Sequence, residues 1–326
     1  MANIKITTFN CENLYGRYRF LDKPWNERPD GYERLIQVSG VISLKRGRKG
    51  AIEPKKITEK QRKSTAEAIL ATLPDILVVQ EIENIQTLRL FNCKYCNDYF
   101  DRIILLDGND PRGIDVGVLI KRDFDAEILN IRTHADEALG GKTLKSSSRL
   151  NTKSTAEAIF SRDCLEVDIK IDGKTITLLV NHFKAQDGKP SSTKKRQEQS
   201  KKVKEIAARA INEGKMPIVL GDLNIDIKQK NYDGSLNEIY NYEKLDDPFK
   251  NKPEDELWSH YYSSDNKVSR LDYILVDKKL NVISTDFFRN GLTPDCKQYT
   301  GTRLESMKGN DLEASDHCPT SVIIDL

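Results

Sequence analysis

Several short strings in this 326-residue chain bring acids, amides and imidazoles together at spacings that can do chemistry. Asn10 is followed closely by Glu12 and Asn13. Gln80-Glu81 closes one apolar run and Asn181-His182 closes another. Gly221-Asp222-Leu223-Asn224 follows a third, Asp272 lies in Leu271-Asp272-Tyr273, and Ser315-Asp316-His317 precedes the last apolar segment. One such residue alone is ordinary: an Asp after Gly is usually a turn. Each of the four histidines, His134, His182, His260 and His317, is more often structural than catalytic. Order and pairing carry the signal. Together the strings supply what hydrolysis of a phosphodiester needs. Oxygen donors hold a hard cation against phosphoryl oxygens. A carboxylate or imidazole holds or deprotonates water. Amides and imidazoles stabilise the charge of the transition state. Oxygen ligands without a cysteine cluster favour Mg2+, with Mn2+ as a substitute, over zinc.

The elements that must position these groups are short apolar segments bounded by Gly, Asp, Asn and Pro. Residues 3–9 alternate, and 75–82 (DILVVQEI) run continuously apolar, as expected of a strand buried on both faces. Further strands are expected at 103–106, 116–120, 217–220, 271–276 and 321–324. Segments 164–171 and 175–180 flank Asp172-Gly173, a hairpin signal. Thr58 with Gln61 suggests a capping box opening a helix to about Thr72. Asn84 caps a short helix through Leu90, and a basic helix spans 193–212, closed by Gly214 and Pro217. The mixture points to an α/β sandwich. Polar groups at the ends of buried strands then face one crevice. Long loops are expected at 133–155 and 293–314.

Composition sets the bounds. Hydrophobic residues at 38% can build a large core, and 52 Lys plus Arg against 50 Asp plus Glu leave a net charge of only +2. No global basic field draws the chain to nucleic acid, so such binding must come from local patches. The basic segment 44–63 reads as a phosphate-backbone strip or as a solvated face. Six scattered cysteines make no disulfide scaffold, and Cys93-x-x-Cys96 has no second pair to complete a zinc site. The N-terminus has no signal-peptide pattern and no apolar run is long enough for a membrane span, so a cytoplasmic protein without a membrane role is expected. A mature secreted form that has lost its signal fits the same residues. No obligatory protein partner is evident.

The ordered series N…QE…NH…GDLN…LDY…SDH resembles the endonuclease/exonuclease/phosphatase superfamily, from Thr8-Phe9-Asn10 to Ser315-Asp316-His317. That superfamily includes pancreatic-type DNase, exonuclease III-type AP endonucleases, sphingomyelinases and inositol polyphosphate 5-phosphatases. The resemblance implies a single DNase I-like domain over residues 1–326, a four-layer sandwich of two mixed β-sheets packed face to face and flanked by helices. It implies that Glu81 binds the metal, with Asn10 beside it and Asp316 as a further carboxylate. Asp222 matches the aspartate that orients or activates water, and Asn224 the amide that contacts phosphate. His317 matches the histidine on the scissile phosphate, and Asp272 the carboxylate that sets its tautomer. His182 is similar to the second histidine of the DNase-type branch.

Departures narrow the branch. AP endonucleases share Arg270-Leu271-Asp272-Tyr273 but usually carry tyrosine where this chain has His182. Asn224 is followed by Ile225-Asp226, and Ser269-Arg270-Leu271-Asp272 replaces a Cys-Asp-Arg element, both unlike the 5-phosphatases. Sphingomyelinases expose aromatics to membranes, whereas aromatic residues here are 7% with no amphipathic stripe. Asn181-His182-Phe183-Lys184 instead resembles bacterial nuclease-like members. Arg112, with Asp115 nearby, Arg162 and Lys184 are weaker candidates for phosphate contact, as are Lys189 and Lys194-Lys195-Arg196. Cys11 and Cys318 read as filler beneath the site. The expected function is Mg2+-dependent phosphodiester cleavage, endonucleolytic and with DNA favoured. The alternatives are hydrolysis of a small phosphoester and a catalytically silent binding module.

Overall fold

The computed structural model describes residues 3–14, 17–20, 34–37, 44–46, 52–54, 58–110, 113–138, 158–307 and 313–326. Arg112, residues 47–51 and 55–57 of the basic segment 44–63, and loop residues 139–155 and 308–312 lie outside them.

Strand β1 (Asn3–Leu14) is followed by two short pairs, β2 (Arg17–Phe20) with β3 (Arg34–Gln37) and β4 (Leu44–Arg46) with β5 (Ile52–Pro54). Helix α1 (Thr58–Thr72), β6 (Ile76–Ile82), α2 (Ile85–Tyr95), β7 (Phe100–Leu105), β8 (Asp115–Lys121) and β9 (Glu127–Arg132) come next. The hairpin β10 (Cys164–Ile171) and β11 (Lys174–His182) leads into α3 (Pro190–Asn212) and β12 (Met216–Asp222). After α4 (Asn237–Tyr240) come β13 (Leu245–Asp246), β14 (His260–Tyr262), β15 (Lys267–Ser269), β16 (Asp272–Asp277), β17 (Asn281–Phe287) and β18 (Thr320–Asp325). Two mixed six-stranded sheets result, in the orders β17-β18-β1-β6-β8-β7 and β13-β16-β12-β11-β10-β9.

Strand alternation explains the layers. Ile4, Ile6, Ile76, Val78, Val116 and Val118 of the first sheet meet Leu178, Val180, Ile218, Leu220, Ile274 and Val276 of the second in one buried core. On the first sheet's opposite face, Phe9, Leu77, Val79 and Leu119 pack under Ala66, Ile69, Leu88 and Phe91 of α1 and α2. On the second, Leu179, Val219 and Leu275 pack under Val203, Ile206 and Ala207 of α3. This is the DNase I-like α/β sandwich that the motif series implies.

Most local signals hold. The Asn84 side chain caps α2 by accepting the Thr87 N–H, although the helix continues to Tyr95. Asp172 and Gly173 both adopt positive φ, 48° and 79°, as a two-residue hairpin turn requires. Helix α1 begins at Thr58, and Gln61 in its first turn donates to the Glu12 carboxylate at 3.2 Å. Edge strands β9 and β17, half-exposed along their length, were not expected from the pattern.

Candidate active site

The same alternation builds the site. Along β1, β11, β12 and β16, even-numbered apolar residues point between the sheets. Further along each strand, residues of that parity are polar where the strand reaches the crevice: Asn10 (after Thr8), His182, Asp222 and Asp272. Pairing sets three of them side by side, because His182 is in register with Asp222, and Asp222 with Asp272. Glu81 is the exception. Its parity would send it under the helices with Leu77 and Val79. A register shift between Val79 and Ile82, with Glu81 at φ 62°, hands that side to Ile82 and turns Glu81 to the crevice. Gly221 allows the strands to close, since a Cβ there would lie 2.0 Å from the Asn181 carbonyl oxygen.

Asp222 is the hub. Its carboxylate accepts the Asn10 amide at 3.0 Å, the Asn224 backbone N–H at 2.8 Å and the Asn224 side-chain amide at 3.0 Å. Asp222 Oδ2 lies 3.5 Å from His182 Nε2 and 3.9 Å from His317 Nε2. Glu81 Oε1 is 3.9 Å from His182 Nε2. His317 Nδ1 meets Asp272 Oδ2 at 2.8 Å, and Ser259 Oγ donates to the same oxygen at 2.7 Å. The loop carrying His317 is tied down by Ser315, whose hydroxyl donates to the Asn10 carbonyl at 2.7 Å and accepts the His317 N–H.

Burial, then the charge of Asp272, raise the Asp222 carboxyl to about 7, although His317 and the amide donors oppose the rise. Burial alone would lower His317, but the charge and hydrogen bond of Asp272, with Asp222 and Asp316, raise it well above the usual imidazole range. Burial would raise Asp316, and the hydrogen bond from His260 and the charge of His317 bring it down. A cleft of about 840 Å³ opens over this cluster, lined by Asn10, Glu81, His182, Asp222, Asp316 and His317 among others. The donors at its Glu81 end are carboxylate and amide oxygens. Asn10 turns its NH2 to Asp222 and its Oδ1, which also accepts the Glu12 N–H, away from it. The three residues that the motif resemblance assigns to the metal, Glu81, Asn10 and Asp316, all line this cleft and carry oxygen donors of the type a hard divalent cation takes.

Arg162 lines the cleft but is buried, ion-paired with Asp110 at 2.9 Å and donating to the Phe183 carbonyl at 3.1 Å. Lys184 is not brought to the cleft lining; its ammonium sits 3.5 Å from Asp187. Arg196 is likewise buried, holding Asp233 and the carbonyls of Lys184 and Ala185. Cys11 and Cys318 are buried, and burial pushes both thiols far up, so they are filler rather than nucleophiles. Cys93 is exposed, Cys96 is buried, and both are free thiols.

The pattern alone passed over His260. It lines the cleft, its ring lies 4.7 Å from that of His317, and its Nε2 is 3.7 Å from Asp316 Oδ2. His134, by contrast, is structural, bonded to the buried Glu166.

Two packed sheets with a carboxylate–imidazole crevice at their strand ends define the class of DNase I-like sandwich proteins. The sequence model of the endonuclease/exonuclease/phosphatase family matches residues 54–323, and the chain belongs to that family, whose members are phosphoester hydrolases. No curated protein sequence matches it. Among solved structures, an endonuclease/exonuclease/phosphatase from Bacteroides vulgatus aligns over 100% of both chains, with a TM-score of 0.61 and 13% identity. Humanized D. rerio TDP2 covers 99% of both chains, with 0.60 and 12%. The human Nocturnin catalytic domain with bound sulfate aligns over 99% of this chain and 94% of that one, with 0.56 and 18%. At such identities the likeness establishes the fold alone. No helix among the described residues is long and apolar enough to cross a membrane.

Proposed function

We propose that the chain is a divalent-metal-dependent phosphodiesterase whose substrate is nucleic acid, DNA before RNA, cut internally. The observation that carries this reading is the Asp222 carboxylate, buried beside two imidazoles and gripped by two amides. A carboxyl raised to about 7 accepts a proton from water near neutral pH far better than an ordinary aspartate.

A bound Mg2+ supplies charge neutralisation at the phosphoryl oxygens. Asp222 holds the attacking water and takes its proton as the oxygen closes on phosphorus. Asn10 and Asn224 hold the carboxylate in place; Asn224 spans Asp222 and the Phe183 carbonyl, and Asn10 has a second amide hydrogen to offer the phosphate. His317, kept cationic by Asp272, donates from Nε2 to the oxygen that gains charge, and His182 offers a second imidazole on the other side of Asp222. Glu81, Asn10 and Asp316 would hold the metal. TDP2 with a single-strand DNA product is among the structures sharing the fold.

The test is a panel of supercoiled plasmid, linear duplex, single-stranded DNA, RNA, an abasic duplex and small phosphoesters, with Mg2+, with Mn2+ and with chelator. Metal-dependent nicking of closed circular DNA is the expected result. Turnover of only small esters would replace the substrate assignment. Absence of Mg2+ binding by calorimetry would favour a silent binding module.

A further inference from the structure

Strands β14 and β15 bring a third imidazole to the cleft wall, and its surroundings are those of a metal ligand. One ligand atom from each of His260, Asp316 and His317 lies within 4.8 Å of the others. The two rings, tilted 55° to one another, are tied in the same way. His317 Nδ1 is committed to Asp272 at 2.8 Å, and His260 Nδ1 to Ser269 Oγ at 3.2 Å. Both Nε2 atoms therefore face the one carboxylate, at 3.7 Å from Asp316 Oδ2 and 3.9 Å from Asp316 Oδ1. An outer partner on Nδ1 with Nε2 turned inward is the arrangement that orients metal-bound histidines. An isolated β-bridge between His260 and His317 fixes the spacing of the two rings.

We propose that His260, Asp316 and His317 form a second cation position in the cleft, sharing the Asp316 carboxylate with the first, selective for borderline ions such as Zn2+ or Co2+, and that its occupation inhibits the enzyme. Two nitrogens and one carboxylate suit these ions, whereas the oxygen donors around Glu81 suit Mg2+. Ligands around a tetrahedral Zn2+ at ~2.0 Å sit roughly 3.3 Å apart, so the two nitrogen–oxygen spacings would close by about half an ångström, and no pair of ligand atoms, all within 4.8 Å of one another, by more than about 1.5 Å. Three protein ligands leave the fourth position for water or a phosphate oxygen. Inhibition follows because the ion takes the Nε2 edge of His317 and sends its proton to solvent. This second clause rests on the hydrolase reading; the binding site does not.

The test is titration of the full, metal-stripped chain with Co2+, followed by visible absorption, and with Zn2+, followed by calorimetry. One Co2+ with the intense bands of low-coordinate nitrogen ligation is expected. His260→Gln and Asp316→Asn should each weaken it by about 100-fold or more, and Ser269→Ala, a milder change, by ~10-fold. Glu81→Gln should keep it. In cleavage assays, the Zn2+ concentration that halves each variant's own zinc-free rate should rise at least ~10-fold for His260→Gln. Wild-type Co2+ affinity in His260→Gln, or equal loss in Glu81→Gln, would overturn the site. Binding that behaves as expected in a protein that cleaves no phosphoester would uphold the site while ending the hydrolase reading.

Discussion

Asp272 Oδ2 lies 2.8 Å from His317 Nδ1, and the carboxylate that makes this contact is fully buried. The pair fixes which edge of the ring reaches the cleft and holds the ring in its cationic form. Asp272→Asn keeps the shape and removes the charge. It should lower kcat by about 10²–10⁴-fold with little change in KM, as loss of the carboxylate does in other His–Asp pairs. Steady-state kinetics and a circular dichroism spectrum check this; a normal kcat in a folded variant would detach Asp272 from the chemistry.

Asn224 combines two roles that substitution can separate. Its φ of 58° is left-handed, and its side-chain and backbone N–H groups both hold Asp222. Asn224→Ala should lose roughly 1–2 kcal/mol of stability and also turnover. Asn224→Gly should recover stability, since glycine adopts this conformation freely, but not turnover, which should stay about 10-fold or more down. Thermal melts beside initial rates tell them apart.

Gly221 has no such freedom. At φ 127°, and with the Asn181 carbonyl 2.0 Å from where a Cβ would stand, Gly221→Ala must push apart the strands carrying His182 and Asp222. A loss of about 3 kcal/mol or more is expected, seen as a lower melting temperature and poorer soluble yield. A melting curve like that of the wild type would contradict the packing described.

Acid sensitivity should trace in part to Glu166. Burial would raise this carboxyl, but hydrogen bonds from His134 and Arg209 and the latter's charge hold it at about 2. A depressed carboxyl stabilises the fold above its unfolded value, near 4.5, and that stability is lost as pH falls toward 2. Denaturant melts between pH 6 and pH 3 should show Glu166→Gln less stable than wild type at neutral pH, by on the order of 2 kcal/mol, with the gap narrowing as pH drops. A gap independent of pH would mean that packing, not charge, is what Glu166 contributes.

Much of this molecule is legible in its residues because the inner strands are buried on both faces. Ile76 to Val79 and Ile218 to Leu220 are apolar throughout, so the polar residues that follow each run stand out. The parity that aims Asn10, His182, Asp222 and Asp272 at one crevice follows from strand alternation alone. Glu81 breaks that parity through a bulge, which periodicity does not reveal; only the motif resemblance singled it out. His260 escaped because its strand is three residues long and Asp316, its partner, is far away in sequence. Lys184 and Arg196 misled because cations beside a histidine suggest phosphate. The chain instead spends them on Asp187, Asp233 and backbone carbonyls. Edge strands such as β17 were missed because one half-buried face gives a weak pattern.

The most direct test of the central claim is Mg2+-dependent nicking of supercoiled plasmid by wild type and by Asp222→Ala, with folding of both confirmed by thermal melts. Nicking by the wild type should stop with chelator and fall at least ~10²-fold in the variant. Equal nicking by a folded Asp222→Ala protein would contradict it, and would take from Asp222 the role on which the mechanism depends.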